Sequence, residues 1–202
     1  MNPLDQETAL LVVDMQKGFD DPAWGLRNNP RAEECVEQLL TAWRDASAPV
    51  VHVHHRSTSP TGCFRPETRG IRPKPQAIPQ AGEPLYTKSV NSAFIGTSLE
   101  ADLRRRDIRA LVVVGLTTNH CVSTTVRMAG NLGFSTYVVA DATAAFNRIG
   151  IYGNVRPAQE VHMAALDDLH GEFAEVVDTR TVVAALGRRG APARGGPPRS
   201  AA

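Results

Sequence analysis

The chain has 202 residues, of which 42% are hydrophobic and 21% charged, and its formal net charge is +1. These values are ordinary for a globular protein and exclude wholesale disorder, a collagen-like chain and a disulfide scaffold. The apolar runs have the length of strands, far below the roughly 20 residues of a membrane-spanning helix. The first residues lack the basic start and apolar stretch of a signal peptide. We therefore expect a cytoplasmic protein with no membrane partner.

Positive charge is concentrated in residues 187–202, which contain four arginines and no acidic residue. Residues 1–186 carry 18 basic and 21 acidic side chains, a net charge of −3. This balance offers no basic surface for nucleic acid. We expect a single domain over residues 1–186 and a disordered tail over 187–202. Three cysteines cannot all pair, and their spacing is not that of a zinc site.

Short apolar segments alternate along the chain with segments of helical periodicity. Thr8–Asp14 (TALLVVD) is an apolar run that ends in an acid, which is typical of a buried parallel strand. The six predicted strands are Thr8–Asp14, Pro49–His55, Leu85–Lys88, Ile108–Gly115, Phe134–Ala140 and Phe173–Asp178. The predicted helices are 31–47, 98–107, 119–132, 157–170 and 180–186. This alternation predicts an α/β fold in which helices cover both faces of a parallel sheet.

Two regions of this pattern are candidates for function. The segment 56–84 is rich in proline and glycine, and its length is typical of a lid or a binding loop. The second region is the edge formed by the carboxyl ends of the strands, where parallel sheets bind ligands. The residues that follow or end strands there include Asp14, Lys88, Asp141 and, after Gly115, Cys121.

Each of these side chains has a simple structural interpretation when it is taken alone. Asp14 is a polar strand end, Lys88 a surface lysine and Cys121 a small buried residue, the common fate of a free cysteine. Their joint placement favours chemistry, because the topology brings an acid, an ammonium and a thiol to one edge.

An acid, an ammonium and a thiol together suit acyl transfer to water. A helix start and Lys88 would lower the pKa of the Cys121 thiol and favour the nucleophilic thiolate. Asp14 would accept the thiol proton and later activate the hydrolytic water. Backbone N–H groups at the same helix start would bind the oxyanion of a tetrahedral intermediate.

Three segments carry a family resemblance, and they occur in the expected order. LLVVDMQKGF (10–19), TKSVNSAF (87–94) and GLTTNHCV (115–122) are similar to motifs of the isochorismatase-like cysteine hydrolases. That superfamily includes nicotinamidases, N-carbamoylsarcosine amidase and ureido and lactam amidases. The resemblance extends from about residue 8 to residue 180. The run TKSVNSAFIGTSLEADL also resembles hydrolases of streptothricin lactams.

The resemblance implies a three-layer α-β-α fold whose six-stranded parallel sheet has the order 3-2-1-4-5-6. It implies Asp14 as general base, Lys88 as stabiliser of the thiolate and the transition state, and Cys121 as nucleophile. A cis peptide bond at Leu116–Thr117 would direct the Thr117 N–H to the oxyanion beside the Cys121 N–H. Members of the family are typically dimers or larger, so we expect a homodimer or a higher homo-oligomer.

The cysteine and the second strand discriminate within the superfamily. True isochorismatases cleave a vinyl ether and lack this cysteine, so Cys121 favours a hydrolase of a C–N bond in a carboxamide, ureido compound or lactam. Nicotinamidases carry an Asp-x-His metal site after the second strand, whereas this chain reads HVHHR there, so we expect no metal. Two alternatives stay open: vinyl-ether hydrolysis, and a catalytically silent member that binds a metabolite or senses oxidants through Cys121.

Six further residues are candidates for substrate binding, because they lie at strand ends or beside the motifs. They are Phe19, Trp24, His54, His55, Asn91 and Phe94. Packing against a neighbouring subunit is the alternative for Phe19 and Trp24. The chain has neither a G-x-G-x-x-G motif after a strand nor a P-loop, so we expect no cofactor. The resemblance implies a small molecule as the substrate.

Overall fold

The structure, a computed structural model, describes Leu4 and residues 7–187. This part of the chain contains eight strands and five α-helices. The strands are β1 (Thr8–Val13), β2 (Val50–His55), β3 (Leu85–Lys88), β4 (Ala110–Leu116), β5 (Ser135–Ala144), β6 (Arg148–Ile149), β7 (Val155–Arg156) and β8 (Glu175–Val177). The helices are α1 (Ala32–Asp45), α2 (Leu99–Arg105), α3 (Ser123–Asn131), α4 (Ala158–Asp167) and α5 (Thr179–Leu186). No helix in this part of the chain is both long and apolar enough to cross a membrane.

A parallel sheet of six strands forms the central layer, in the order β3-β2-β1-β4-β5-β8. The predicted order is thus confirmed, with β8 as the sixth strand of the sheet. The numbering differs because an antiparallel hairpin of β6 and β7 precedes β8. Each hairpin strand has only two residues, which is too short to produce a hydrophobic period in the sequence.

The alternation of side chains along β1 shows how the three layers form. Leu10 and Val12 belong to one apolar cluster, which they share with residues of α1 and α5. Leu11 and Val13 belong to a second cluster, which they share with residues of α2, α3 and α4. Successive strand residues point to opposite faces, so an apolar run such as TALLVV is buried on both sides.

Strand β5 is longer than predicted and gives Asp141 a different role from the other strand-end residues. The prediction ended this strand at Ala140, but β5 continues to Ala144. The Asp141 carboxylate accepts hydrogen bonds from the backbone N–H and the hydroxyl of Thr179, both at 2.9 Å. Asp141 therefore helps to hold the start of α5, and the prediction that it ends a strand was wrong.

The long loop between β2 and β3 is anchored by ion pairs. Lys74 is buried and pairs with Asp20 and, at 3.1 Å, with Glu33 of α1. At the far end of the loop, Glu83 accepts from Arg44 of α1 at 2.7 Å. These contacts hold the loop against the domain. The predicted tail over 187–202 lies outside the described residues except for Gly187.

The close contact between β1 and β4 at Gly115 can be tested by its effect on the stability of the protein. The φ of Gly115 is +122°, and a Cβ there would lie 1.9 Å from the Val13 carbonyl oxygen. We expect Gly115→Ala to reduce the free energy of unfolding by more than about 4 kcal/mol, as for other severe core substitutions. Urea unfolding measures this loss.

Gly133 is the matched control, because it also has a positive φ, +84°, but a Cβ added there would point into open space. Gly133→Ala should cost only about 1–2 kcal/mol, the penalty of a left-handed backbone. Equal losses in the two variants would contradict the steric explanation for Gly115.

Candidate active site

Three strand ends bring Asp14, Lys88 and Cys121 together. Asp14 follows β1, Lys88 ends β3, and Cys121 lies in the π-helical turn Thr118–Val122 that leads from β4 into α3. The Lys88 ammonium Nζ is 2.6 Å from Asp14 Oδ2 and 3.3 Å from Cys121 Sγ. The prediction that these three side chains meet at the carboxyl edge agrees with this geometry; their catalytic roles stay predictions.

Lys88 reaches Asp14 by crossing the end of an intervening strand. β2 lies between β3 and β1 in the sheet, so the lysine side chain extends across the end of β2. The side chains of Lys88 and Asp14 are both fully buried. At Asp14 the backbone turns into the left-handed region, with φ 51°, a conformation that Asp tolerates better than most residues. The turn takes the chain away from the sheet directly after β1.

A fourth side chain, His55 at the end of β2, completes the surroundings of the ammonium. Its Nδ1 atom is 3.3 Å from Lys88 Nζ. Asp14, His55 and Cys121 each offer one metal-ligating atom, and these atoms lie within 4.8 Å of one another. The Lys88 ammonium contacts all three residues, so a cationic group of the chain itself already lies among these ligand atoms.

Burial dominates the electrostatics of the thiol. It raises the pKa of Cys121 to about 12, and the Asp14 carboxylate adds to the increase, while Lys88 opposes it. The expectation of a lowered thiol pKa was therefore wrong, because the desolvation of the thiolate outweighs its attraction to Lys88. Burial also raises the pKa of Asp14, against the lowering influence of Lys88 and of the Cys121 thiol.

The segment between β4 and Cys121 has the backbone feature that the family resemblance implied. The Leu116–Thr117 peptide bond is cis. The turn that follows is held by a hydrogen bond at 2.8 Å between Thr118 Oγ1 and Nδ1 of His162 in α4. His162 is buried, and this contact supports the turn that carries Cys121.

Phe19 and Trp24 belong to a cluster of four aromatic rings. Phe19 contacts Phe64 with a centroid distance of 4.8 Å, and Trp24 stacks on Phe146 at 5.4 Å. Phe64 also meets the His55 ring edge-on at 5.8 Å, which connects the cluster to the candidate site. Phe64 and Phe146 were not among the predicted site residues, because no periodic pattern surrounds either residue.

The other predicted substrate-binding residues lie at different depths. Asn91 is exposed and its Oδ1 is 3.9 Å from Cys121 Sγ. Phe94 is buried and stacks on Phe134 at 6.0 Å. His54 borders a small cavity of about 200 Å³ together with Gln16, and burial lowers its pKa to about 4. Substrate contact by these residues stays a prediction.

A larger cavity of about 610 Å³ lies beside the end of β3. It is bounded by the loop after β2, including Arg56 and Arg65, and by Thr87, Lys88 and Ser89. Its size falls in the range of small-molecule sites. The Lys88 side chain itself is fully buried, so this space borders the candidate site at its outer side.

The chain is similar to known proteins over nearly its whole length. The isochorismatase domain family matches residues 8–181. The chain is 43% identical over 180 residues to the isochorismatase family protein YrdC of Bacillus subtilis, covering 89% of this chain and 96% of the relative. A crystal structure of an isochorismatase-family protein from Chromobacterium violaceum superposes with a TM-score of 0.89 at 42% identity, over 93% of this chain and 99% of that one.

Several more distant relatives are named as amide hydrolases. Nicotinamidase 3 of Arabidopsis thaliana is 31% identical over 190 residues, covering 88% of this chain and 87% of the relative. The maleamate amidohydrolase of Pseudomonas putida is 28% identical over 191 residues, covering 85% and 83%. The ureidoacrylate amidohydrolase RutB of Stutzerimonas stutzeri is 29% identical over 172 residues, covering 68% and 69%.

The electrostatics of the cluster can be tested by alkylating Cys121 with iodoacetamide. Because its pKa is about 12, the rate should rise about tenfold per pH unit between about pH 7 and pH 10, without a plateau. Asp14→Asn removes a charge that raises the thiol pKa, so alkylation at a given pH should become faster. Lys88→Met should make it slower.

Peptide mass spectrometry gives the rate for each cysteine separately. Cys63 is the internal control, because it is a half-buried free thiol in the loop after β2, and its rate should not respond to either substitution. A plateau for Cys121 near pH 8 would show instead that the thiolate is already favoured.

Proposed function

We propose that this chain, which belongs to the isochorismatase family of hydrolases, hydrolyses a non-peptide C–N bond in a small molecule with Cys121 as the nucleophile. The observation that carries the proposal is the position of Lys88 Nζ, which hydrogen bonds both to Asp14 and to the Cys121 thiol. The substrate is a carboxamide, a ureido compound or a lactam. The nicotinamidase and amidohydrolase names among the relatives support this class of bond.

The first half of the reaction forms a thioester. Cys121 transfers its proton to Asp14, and the sulfur attacks the carbonyl carbon of the substrate. Asp14 Oδ2 is engaged by Lys88, whereas Oδ1 is buried and has no hydrogen-bond partner among the described residues. Oδ1 is therefore the free acceptor for the thiol proton. The N–H groups of Thr117 and Cys121 would stabilise the oxyanion.

Collapse of the tetrahedral intermediate breaks the C–N bond, and the nitrogen leaves with the proton held by Asp14. Water then attacks the thioester while Asp14 accepts a proton from it, and a second collapse releases the acid and returns the proton to sulfur. Throughout the cycle Lys88 offsets the negative charge that alternates between Asp14 and Cys121.

The high pKa of the thiol fits a proton transfer that is coupled to attack. At neutral pH the thiol holds its proton, so a stored thiolate is not the starting point. The carboxylate that raises the thiol pKa is also the proton acceptor. His120 is a less suitable base, because its ring contacts Asn119 at 3.3 Å and Arg148 at 3.2 Å.

A screen of a compound mixture by mass spectrometry tests the activity. It contains amides, ureido compounds and lactams, with isochorismate as a vinyl-ether probe. We expect one C–N compound to be hydrolysed by the native protein. Cys121→Ala should reduce turnover at least about 10³-fold, as the loss of a catalytic nucleophile does elsewhere. Acid quenching should trap the acyl group on the Cys121 peptide.

Cys63→Ala is the matched control and should keep native turnover, since Cys63 lies in the loop outside the cluster. Turnover that persists in Cys121→Ala would contradict the nucleophile and favour water activated by Asp14. Cleavage of isochorismate alone would favour the vinyl-ether alternative. Binding without any turnover, with oxidation confined to Cys121, would favour the silent member.

We also propose that two copies associate through the β6–β7 hairpin and α4. Exposed apolar side chains cluster on the hairpin: Ile149, Ile151, Tyr152 and Val155. Beside them lies a hollow of about 480 Å³, lined in part by Val161 and Ala164 of α4. The hairpin carries Arg148 and Arg156, whereas α4 carries the exposed Glu160. A two-fold pair that places each hairpin on the other copy's α4 would bring these opposite charges together.

Light scattering after gel filtration tests this association. The native protein should have a mass at least twice the 21.8 kDa of one chain. The double substitution Ile151→Ser, Tyr152→Ser should produce the single-chain mass, because it removes apolar area from the proposed contact. Ile78→Ser, an equally simple change at an exposed residue of another loop, should have no effect. A monomeric native protein would contradict the proposal.

A further inference from the structure

We infer that His55 is a positioning residue for Lys88: its neutral imidazole accepts one ammonium hydrogen bond and holds the ammonium between Asp14 and Cys121. The position of His55 at a strand end predicted substrate binding, and the geometry points to this different task. The chemical role of Lys88 rests on the proposed function, whereas the contact itself does not.

The inference begins with the hydrogen-bond donors of Lys88. An ammonium has three N–H donors and no acceptor. Three acceptors surround it: Asp14 Oδ2 at 2.6 Å, Cys121 Sγ at 3.3 Å and His55 Nδ1 at 3.3 Å. Without His55, one donor of a buried cation would lose its acceptor, which favours a different orientation of the ammonium. His55 therefore helps to direct the other two donors.

The same contact determines where the imidazole proton resides. Because Lys88 only donates, Nδ1 must be unprotonated, and the proton of the neutral ring is on Nε2. The titratable groups that face the ring are Lys88, Asp14 and Cys121. Burial and Lys88 lower the pKa of His55, against smaller opposite contributions from Asp14 and a hydrogen bond to the Val90 backbone. The ring thus stays neutral near physiological pH.

His55 is itself held from three directions. It lies opposite Lys88 in the pairing of β2 with β3. The buried side chain of Gln16 accepts from the His55 N–H at 2.7 Å and donates to the His55 carbonyl at 3.0 Å. A second Gln16 N–H bond, to the Ile71 carbonyl at 3.0 Å, fixes the amide against the long loop. Phe64 packs edge-on against the ring.

Alkylation of Cys121 at about pH 9 tests the inference without any substrate. In His55→Phe an aromatic ring is kept and the acceptor is lost, so Lys88 should support the thiolate less well. We expect alkylation about tenfold slower, which corresponds to one unit in the thiol pKa. In His55→Asn an amide oxygen can accept from Lys88, and the rate should stay within about threefold of the native rate. Cys63 in the same digest is the internal control.

A native rate in His55→Phe, or an equal loss in His55→Asn, would overturn the inference. A second measurement needs no change at His55. In protein labelled with ¹⁵N-histidine, the His55 ring should show a protonated Nε2 and an unprotonated Nδ1 at neutral pH, and Lys88→Met should shift the Nδ1 signal. A proton on Nδ1 would also overturn the inference.

The two hypotheses fail separately in these experiments. If the alkylation rates and the tautomer are as expected but no C–N compound is hydrolysed, His55 positions Lys88 and the proposed activity is wrong. If a C–N compound is hydrolysed through Cys121 while His55→Phe keeps the native rate of alkylation, the activity stands and the positioning role is wrong.

Discussion

The buried ion pair between Lys88 and Asp14 is the interaction on which the candidate site depends. Both side chains are fully buried, and the pair is separated by 2.6 Å. Removing one member of such a pair leaves an uncompensated charge in the interior, which typically costs about 3–5 kcal/mol. Asp14 follows β1 and Lys88 ends β3, so the pair can form only if the intervening β2 ends where the lysine side chain can pass over it. The geometry of the site therefore depends on the order of the strands in the sheet.

The Cys121 thiol lies beside this pair, and both members of the pair change its pKa. Lys88 favours the thiolate and Asp14 disfavours it, while burial disfavours every charged form. The outcome is a protonated thiol beside a carboxylate of which one oxygen, Oδ1, has no hydrogen-bond partner within the described part of the chain. Under the proposed function, such a site would activate Cys121 only as its proton moves to Asp14, whereas other cysteine sites store a thiolate. His55 and Gln16 extend the same network from the ion pair to the long loop.

Much of the fold and the three principal residues of the site were predictable, because both follow from topology. Short segments of strand length predicted all six strands of the sheet, and the carboxyl-edge rule singled out Asp14, Lys88 and Cys121. Asp141 was placed at a strand end by the same rule, but β5 continues to Ala144, and the Asp141 carboxylate accepts hydrogen bonds from Thr179 at the start of α5. The thiol pKa was predicted with the wrong sign, since desolvation depends on packing that no local pattern reports.

The sequence by itself determined the alternation of strands and helices, the order of the motifs and the chemical types that reach the carboxyl edge. These properties are local, because periodicity and strand ends are set by neighbours along the chain. Only the tertiary structure decided that His55 accepts from Lys88, that Gln16 clamps His55, and that Phe64 and Phe146 join one aromatic cluster. These contacts join residues that are far apart in the chain. The distances between them and their burial are set by the packing of the layers, which no local sequence pattern determines.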